Sequence, residues 1–461
     1  MKLKIIYPDL GHFPLVYRRT LPVLAPAVLA ALTPPDIEIS FTDERLHPVQ
    51  TDEPCDLVAI SVMTSQAGRA YELAQCYREK GIPVVLGGVH ISLLPQEAET
   101  RADAIVVGEA EEVWPELLDD FRRGALKKVY RCLNPAAAAP LPCWDLFDRD
   151  PYLPVLPVQV ARGCPVACDL CSVSQAFGRE FRPLNLDALW PRLAEGNRYL
   201  FLVNDNLHLA QRRSRPLLES LSRVGRPWVG LAPLSFARDE SYLQLLKKSR
   251  CWAMYVDLSP WISAGLNEVV EGVEVRRAGE YLQRIRDQGI KVIASFVFGF
   301  DHDRKDIFDR TVAFARDQRI EEAEFHILTP YPRSRLFTRL ENEGRLLTRD
   351  FSDYTAGNVV FRPRAMTPDE LYEGYVQAWR NFYRDHEIRE TPRGPLVLSH
   401  DCFPVSPEEI RRRQGENWLE SLLRSGPEEI IPPAGSAQSS SWNPAPPAPP
   451  TALSTDAPDA G

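Results

Sequence analysis

The sequence predicts an α/β protein built on two successive parallel sheets: an N-terminal doubly wound sheet, then a partial (β/α)6 TIM-type barrel, then a helical C-terminal extension and a disordered tail. Three observations predict it. Apolar runs of strand length alternate with amphipathic helical stretches, the rhythm of parallel sheets joined by crossover helices. A stretch without sustained period, NPAAAAPLPCWDLFDRDPYLPVLP, interrupts that rhythm once. The length, 461 residues, exceeds what one hydrophobic core usually serves.

In the first unit, residues 1–133, the runs LKIIYP, IEISFTDE, LVAISVM, PVVLGG and AIVVGE read as five strands. GRAYELAQCYREKG and EVWPELLDDFRR read as helices between them. Residues 134–154 read as a linker. In residues 155–361, six runs read as barrel strands: VLPVQVAR, YLFLVND, WVGLAP, WAMYVDLS, KVIASFVFGF and EAEFHILTP. The stretches LDALWPRLAEG, RPLLESLSRVG, ESYLQLLKK, AGEYLQRIRDQG and DIFDRTVAFARDQ read as their helices. In residues 362–425, TPDELYEGYVQAWRNFYRDHE predicts one long amphipathic helix with Thr367 as N-cap and Pro368 in its first turn. PEEIRRRQGENWLESLLRS reads as a further helical piece, and proline, serine and alanine in residues 426–461 predict disorder.

Composition narrows the function. Apolar residues make up 44% and charged residues 25%, as in a soluble globular protein. A net charge of -9 gives no basic field for a phosphate backbone, so nucleic acid is not expected as a partner. The apolar stretch Leu21 to Leu32 carries two prolines and falls short of the roughly 20 residues of a membrane-spanning helix. It reads as a buried helix, with no integral membrane segment expected. MKLKIIYPDL enters a strand directly, which predicts a cytoplasmic chain. Nine cysteines, an odd number, argue against a disulfide framework.

Ligands of doubly wound sheets sit beyond the carboxyl ends of the strands. In this chain those ends carry Ser61 and Thr64, Gly87 and Gly88, and Gly108 and Glu109. Glycines admit a bulky ligand and hydroxyls bond its polar rim, so the six residues are candidate pocket residues. His90 reads as a strand-end polar residue facing the pocket rim.

The decisive segment is ARGCPVACDLCSVSQAFGREFRP, where Cys164, Cys168 and Cys171 make C-x-x-x-C-x-x-C directly after the first barrel strand. Three thiolates on one loop can each hold one iron of a 4Fe-4S cluster and leave the fourth iron open. A structural zinc site is the rival reading, but zinc normally closes with four protein ligands, and no second C-x-x-C pair lies nearby. The loop falls at the active face of such barrels.

These residues resemble the radical S-adenosylmethionine (SAM) superfamily. RGCPVACDLCSV followed by FGREFRP is similar to the subgroup with an N-terminal cobalamin (B12)-binding domain, as are GGVHISLLPQEA, ADAIVVGEAEEVWPELLDDF, FVFGFD and LTPYPRSRLF. The resemblance implies a 4Fe-4S cluster whose open iron chelates SAM, reductive cleavage to a 5'-deoxyadenosyl radical, and, in methylating members, a methyl group delivered from methylcobalamin. It further implies an electron donor such as flavodoxin or ferredoxin and a small-molecule substrate. Carried over by position, Asp205, Asn206, Ser259 and Gly299 become candidate SAM contacts, and Ser61, Thr64, Gly87, Gly88, Gly108 and Glu109 candidate cobalamin contacts.

The chain departs from the subgroup at several points. It has no D-x-H-x-x-G motif, so no histidine of that loop is expected on cobalt. Leu170 replaces a common aromatic, Asn204 one of two acids, Asp257 a glutamate, and Arg333 a glycine. Arg333 is open to two readings, a substrate carboxylate or a solvated loop. The resemblance implies C-methylation of an unactivated carbon in a small metabolite, lipid or natural product. Radical cyclisation, oxidation or rearrangement without methyl transfer, and a non-catalytic metal-binding scaffold, are the alternatives.

Overall fold

The computed structural model describes residues 1–383, other than 12–14, 18–19, 136–137, 139, 148–151, 154, 167, 195–198, 205–206, 208–210 and 260–274, together with the backbone of Cys402–Pro404. The predicted helical piece beyond residue 405 and the tail lie outside the described residues.

Six strands form the first sheet: β1 (Lys2–Tyr7), β2 (Glu38–Asp43), β3 (Leu57–Ser61), β4 (Val84–Gly87), β5 (Ala104–Val107) and β6 (Val129–Arg131). They run parallel in the order β2-β1-β3-β4-β5-β6. Leu3, Ile5 and Ile6 are all fully buried because helices cover both faces of the sheet. The apolar stripes of α1 (Leu24–Leu32) and α3 (Ala110–Arg122) pack on one face, and that of α2 (Ala67–Glu79) on the other. Strand β6, VYR, is an addition to the five predicted strands. It is only three residues long, too short to display an alternation, and is anchored by buried Tyr130.

The second sheet contains β7 (Val155–Gln159), β8 (Tyr199–Val203), β9 (Trp228–Leu231), β10 (Cys251–Asp257), β11 (Lys291–Phe298) and β12 (Glu322–Ile327). All six predicted strands form, parallel and in sequence order, and β7 and β12 remain as edges, so the barrel is incomplete. Crossover helices α4 (Gln211–Val224), α5 (Glu240–Lys248), α6 (Val275–Asp287) and α7 (Ile307–Asp317) separate the later strands. LDALWPRLAEG yields only the short helix Trp190–Ala194.

The predicted C-terminal helix forms as α8 (Pro368–Tyr383). Glu370 N–H donates to Thr367 Oγ1 (3.2 Å) while Thr367 N–H donates to Glu370 Oε2 (2.8 Å), a reciprocal cap. Its buried face meets an aromatic column on the outer wall of the barrel: Phe325 stacks on Phe296 and Phe298 and takes Trp379 and Phe382 edge-on. The linker is packed as well. Trp144 and Phe147 are buried, Trp144 Nε1 donates to the Pro157 carbonyl (3.2 Å), and Cys143 N–H to that of Ala27 (3.0 Å). No helix among the described residues is long and apolar enough to cross a membrane.

Gly374 tests the packing of α8. A Cβ there would stand 2.1 Å from Cε2 of Phe308, a ring held edge-on by Phe298. Helix propensity favours alanine by about 1 kcal/mol, but overpacking costs roughly 1–3 kcal/mol. Gly374→Ala is therefore expected to lower the unfolding free energy in urea titrations; a stabilised variant contradicts this packing.

Candidate functional site

The two sheets present their carboxyl ends to one another, and the cluster loop lies between them. Strand β7 leads through Ala161–Arg162, which pairs antiparallel with Arg182–Pro183 and closes a neck around residues 163–181. Gly163, at φ +80°, admits no side chain, because a Cβ would stand 2.1 Å from the Glu180 carbonyl oxygen. Within the loop, Cys164 N–H donates to the Gly178 carbonyl, Cys171 N–H to that of Cys168, and Val173 N–H to Cys171 Sγ. The last barrel loop supports the far side: Leu336 N–H donates to the Asp169 carbonyl (2.9 Å), and Arg335 reaches the Asp169 carboxylate (3.2 Å).

Cys164 and Cys168 are half-buried and Cys171 is exposed, and no disulfide joins them among the described residues. Burial, with Cys171 and Cys164 close by, pushes the Cys168 thiol up to about 11. The protonated form therefore prevails at neutral pH until a metal displaces the proton. Among the described residues no three histidine, cysteine or acidic side chains surround a point where a single ion would sit. A cube asks for something else, one thiolate per iron, so the sulfurs need not converge. Three cysteines on one supported loop fit that demand.

Glu109, at the end of β5, shows what joins the sheets. Arg162 and Arg182 face each other directly across the neck, a repulsive pairing of like charges. Glu109 bridges both and Glu111 completes the charge balance: one Glu109 oxygen accepts from Arg162 and the other from Arg182, while Glu111 takes the second nitrogen of Arg162. Arg162 is 6% and Glu109 7% exposed, so the pairing is shielded from water. Both carboxylate oxygens of Glu109 accept from arginine, so this candidate corrin contact also has a structural duty. Arg333 is exposed, and its Nε donates to the Leu93 carbonyl (3.0 Å), a tie from barrel to first sheet that neither of its readings included.

The other candidate cobalamin residues stand together. Ser61 pairs with Gly87 across β3 and β4, Thr64 follows on the next turn, and Ser92 Oγ bonds the Gly88 carbonyl and the Gly108 N–H (both 2.9 Å). Gly88 and Gly108 take positive φ, and a Cβ at Gly88 would strike the Val62 backbone. Glycine at these two positions thus serves the protein's own turns. Gly87 meets only ordinary contact with Val106 and leaves its backbone approachable. Met63 (48%) and Leu133 (76%), two of the three exposed large apolar side chains among the described residues, follow β3 and β6 at this end of the sheet. Exposed apolar groups beside small and hydroxyl residues suit a large ligand with an apolar face.

His90 does not face that rim. It is fully buried on the short helix Val89–Leu93, with Phe351 edge-on at 5.0 Å and Glu97 at 3.6 Å. The same helix packs against Val173–Phe177, the helix that leaves the cluster loop.

Of the candidate SAM residues, Asp205 and Asn206 lie outside the described residues. Asn204 is a buried brace: with its amide oriented to satisfy both ends, it donates to the Leu202 carbonyl and accepts from Leu207 N–H, each 3.0 Å. Ser259 Oγ donates to Asp257 (2.6 Å) and accepts from Val297 N–H (2.7 Å), tying β10 to β11. Gly299 donates its N–H to Asp303 (2.9 Å) and packs against Leu371 and Phe361. Ser259 and Gly299 therefore both have structural duties. Asp257 is reached by solvent yet ringed by protein, and desolvation raises its carboxyl above the ordinary value.

Sequence reasoning missed the arginine pair and a polar group inside the barrel, Tyr255 with Glu324 and His326. The available signal was the alternation in EAEFHI, which puts Glu322, Glu324 and His326 on the face opposite core-buried Phe325.

A partial barrel with a three-cysteine loop at its mouth, facing the carboxyl ends of a doubly wound sheet, is the arrangement implied by the resemblance to radical SAM proteins with an N-terminal cobalamin-binding domain. A family described as "B12 binding domain" matches residues 32–118, and a "Domain of unknown function (DUF4070)" matches residues 334–390. The chain is 27% identical over 385 residues to bacteriochlorophyllide d C-12(1)-methyltransferase of Chlorobaculum tepidum, covering 80% of this chain and 84% of that one. It is 24% identical over 424 residues to the anaerobic magnesium-protoporphyrin IX monomethyl ester cyclase of Rubrivivax gelatinosus (83% and 73% covered). The structure of the radical SAM methyltransferase TsrM from Kitasatospora setae, with cobalamin and a [4Fe-4S] cluster bound, shares the fold at a TM-score of 0.58, with 16% identity and 93% and 91% covered. In sequence, domain order and fold the chain resembles the cobalamin-binding subgroup of the radical SAM superfamily.

The arginine clasp makes a stability prediction. Removing one partner of a buried pair costs about 3–5 kcal/mol, so Glu109→Gln is expected to lower the unfolding free energy by about that amount. Adding Arg162→Met should recover part of the loss. A Glu109→Gln chain as stable as wild type in urea unfolding contradicts the clasp.

Proposed function

We propose that this chain is a cobalamin-dependent radical SAM enzyme that methylates an unactivated carbon of a small molecule. The observation that carries the reading is the juxtaposition of the cluster loop with the open end of a B12-binding sheet. The chain's own part is to seat the reactants and exclude water. Cys164, Cys168 and Cys171 each hold one iron, and the neck at Arg162–Arg182 fixes their loop. Ser61, Thr64 and Gly87, with Met63 on the rim, receive the corrinoid. Asp205 and Asn206 are the groups proposed for SAM. When bound, the cluster supplies the electron that cleaves SAM and the corrinoid carries the methyl group; a small reduced protein such as flavodoxin or ferredoxin is the proposed electron source.

Two relatives are named for tetrapyrroles. A large, flat, apolar ring system is the substrate class we propose. Radical ring closure without methyl transfer is the second reading, favoured by the similarity to the magnesium-protoporphyrin ester cyclase.

Anaerobically purified chain is expected to carry about four irons and four sulfides, together with a corrinoid. Exchanging Cys164, Cys168 and Cys171 for alanine should abolish the iron and sulfide and spare the corrinoid. Turnover with SAM labelled in its methyl group separates the two readings: label in the product supports transfer, and an unlabelled product moves ring closure to first place.

A further inference from the structure

The barrel interior has an apolar layer and one polar wall. Val229, Ala253 and Ile293 form a buried cluster of their own, with Phe201, Trp252 and Tyr255 packed against it. On the edge strand β12, register places Glu322 opposite Ile293, Glu324 opposite Ser295 and His326 opposite Val297, so these three acidic and imidazole groups step toward the carboxyl-end mouth. Burial pushes Glu322 up to about 8, which leaves it neutral at the bottom. The upper two are joined through β10: Tyr255 Oη donates to Glu324 Oε2 at 2.7 Å and lies 3.1 Å from His326 Nε2.

That geometry assigns the tautomer of His326. The tyrosine proton is spent on the carboxylate, so the phenol oxygen is left to accept, and Nε2 must carry the hydrogen that it accepts. Nδ1 is then a bare lone pair. It takes no hydrogen bond among the described residues, is not among their buried unpartnered atoms, and belongs to a side chain 25% exposed. The electrostatic surroundings put this end of the wall near the cluster loop, since Asp257 senses His326 and Cys168 senses Asp257.

An imidazole with one nitrogen backed by a carboxylate chain, and the other presented bare, is arranged as metal-binding histidines are. SAM offers no Lewis-acidic centre to receive such a lone pair. A macrocycle with a metal at its middle does. We propose that His326 is the axial ligand of a metallated tetrapyrrole substrate, with Tyr255 and Glu324 as the residues that orient it. The proposal rests on the tetrapyrrole substrate class put forward above, but not on methyl transfer, because ligation precedes any chemistry.

The test uses full-length, cluster-reconstituted chain without SAM. Magnesium-protoporphyrin IX monomethyl ester and the metal-free ester are titrated in parallel, read by quenching of tryptophan fluorescence. Wild type is expected to bind the magnesium form at least about tenfold more tightly, the scale on which backing groups tune metal–histidine bonds. In His326→Ala the two affinities should come within twofold, with free imidazole restoring the difference. Tyr255→Phe keeps the imidazole and should reduce the preference without abolishing it. Equal affinities in wild type, no binding of either ester, or a preference that survives His326→Ala overturns the proposal. Failure of the methyl-transfer reading is seen separately, in corrinoid content and in the fate of labelled SAM.

Discussion

A single carboxylate from one sheet bridges two arginines at the root of a loop on the other, and the site depends on that pairing. Arg162 and Arg182 sit opposite each other where the cluster loop leaves the barrel, and unscreened they would drive the neck apart. Glu109 bonds both, with Glu111 assisting. Taking these charges out of water is expensive, so the arrangement contributes less as net stability than as registry between the neck and the first sheet. The sheet proposed to receive the corrinoid thereby braces the loop proposed to receive the cluster.

The remaining contacts extend the same coupling. Helix Val89–Leu93, which follows β4, touches the helix leaving the cluster loop, and Arg333 reaches back from the last barrel loop to Leu93. Segment 350–354 crosses from the barrel side to cover Gly11, Gly68 and His90 on the first domain. Every one of these links involves a loop at a carboxyl end. The two mouths are thus held together by the elements that border them, which favours a water-poor space between the cofactors, as radical intermediates require.

Much of the fold was legible because parallel sheets covered on both faces leave continuous apolar runs. All six barrel strands and the first five strands of the amino-terminal sheet announce themselves this way, whereas VYR at β6 is too short to do so. The cap of α8 was legible for a chemical reason, since Thr367 and Glu370 are spaced to satisfy each other's amides. The three-cysteine loop was legible from its spacing together with its place directly after the first barrel strand. Glu109 was placed by its strand end but not by its partner, because Arg162 is 53 residues away and one-dimensional spacing carries no charge pairing at that range. Gly88, Gly108 and Gly299 show a related limit: a glycine needed by a turn reads the same in sequence as one needed by a ligand. His326 was hidden in a strand whose other face supplies the core aromatic Phe325.

The account turns on a cluster with three protein ligands and one iron open to a small molecule. Mössbauer spectroscopy of iron-57-reconstituted, full-length chain tests this most directly, recorded before and after addition of SAM. The account predicts one iron site distinct from the other three, whose parameters alone shift when SAM is added. Four equivalent irons indifferent to SAM, or iron held as isolated mononuclear ions, would contradict it.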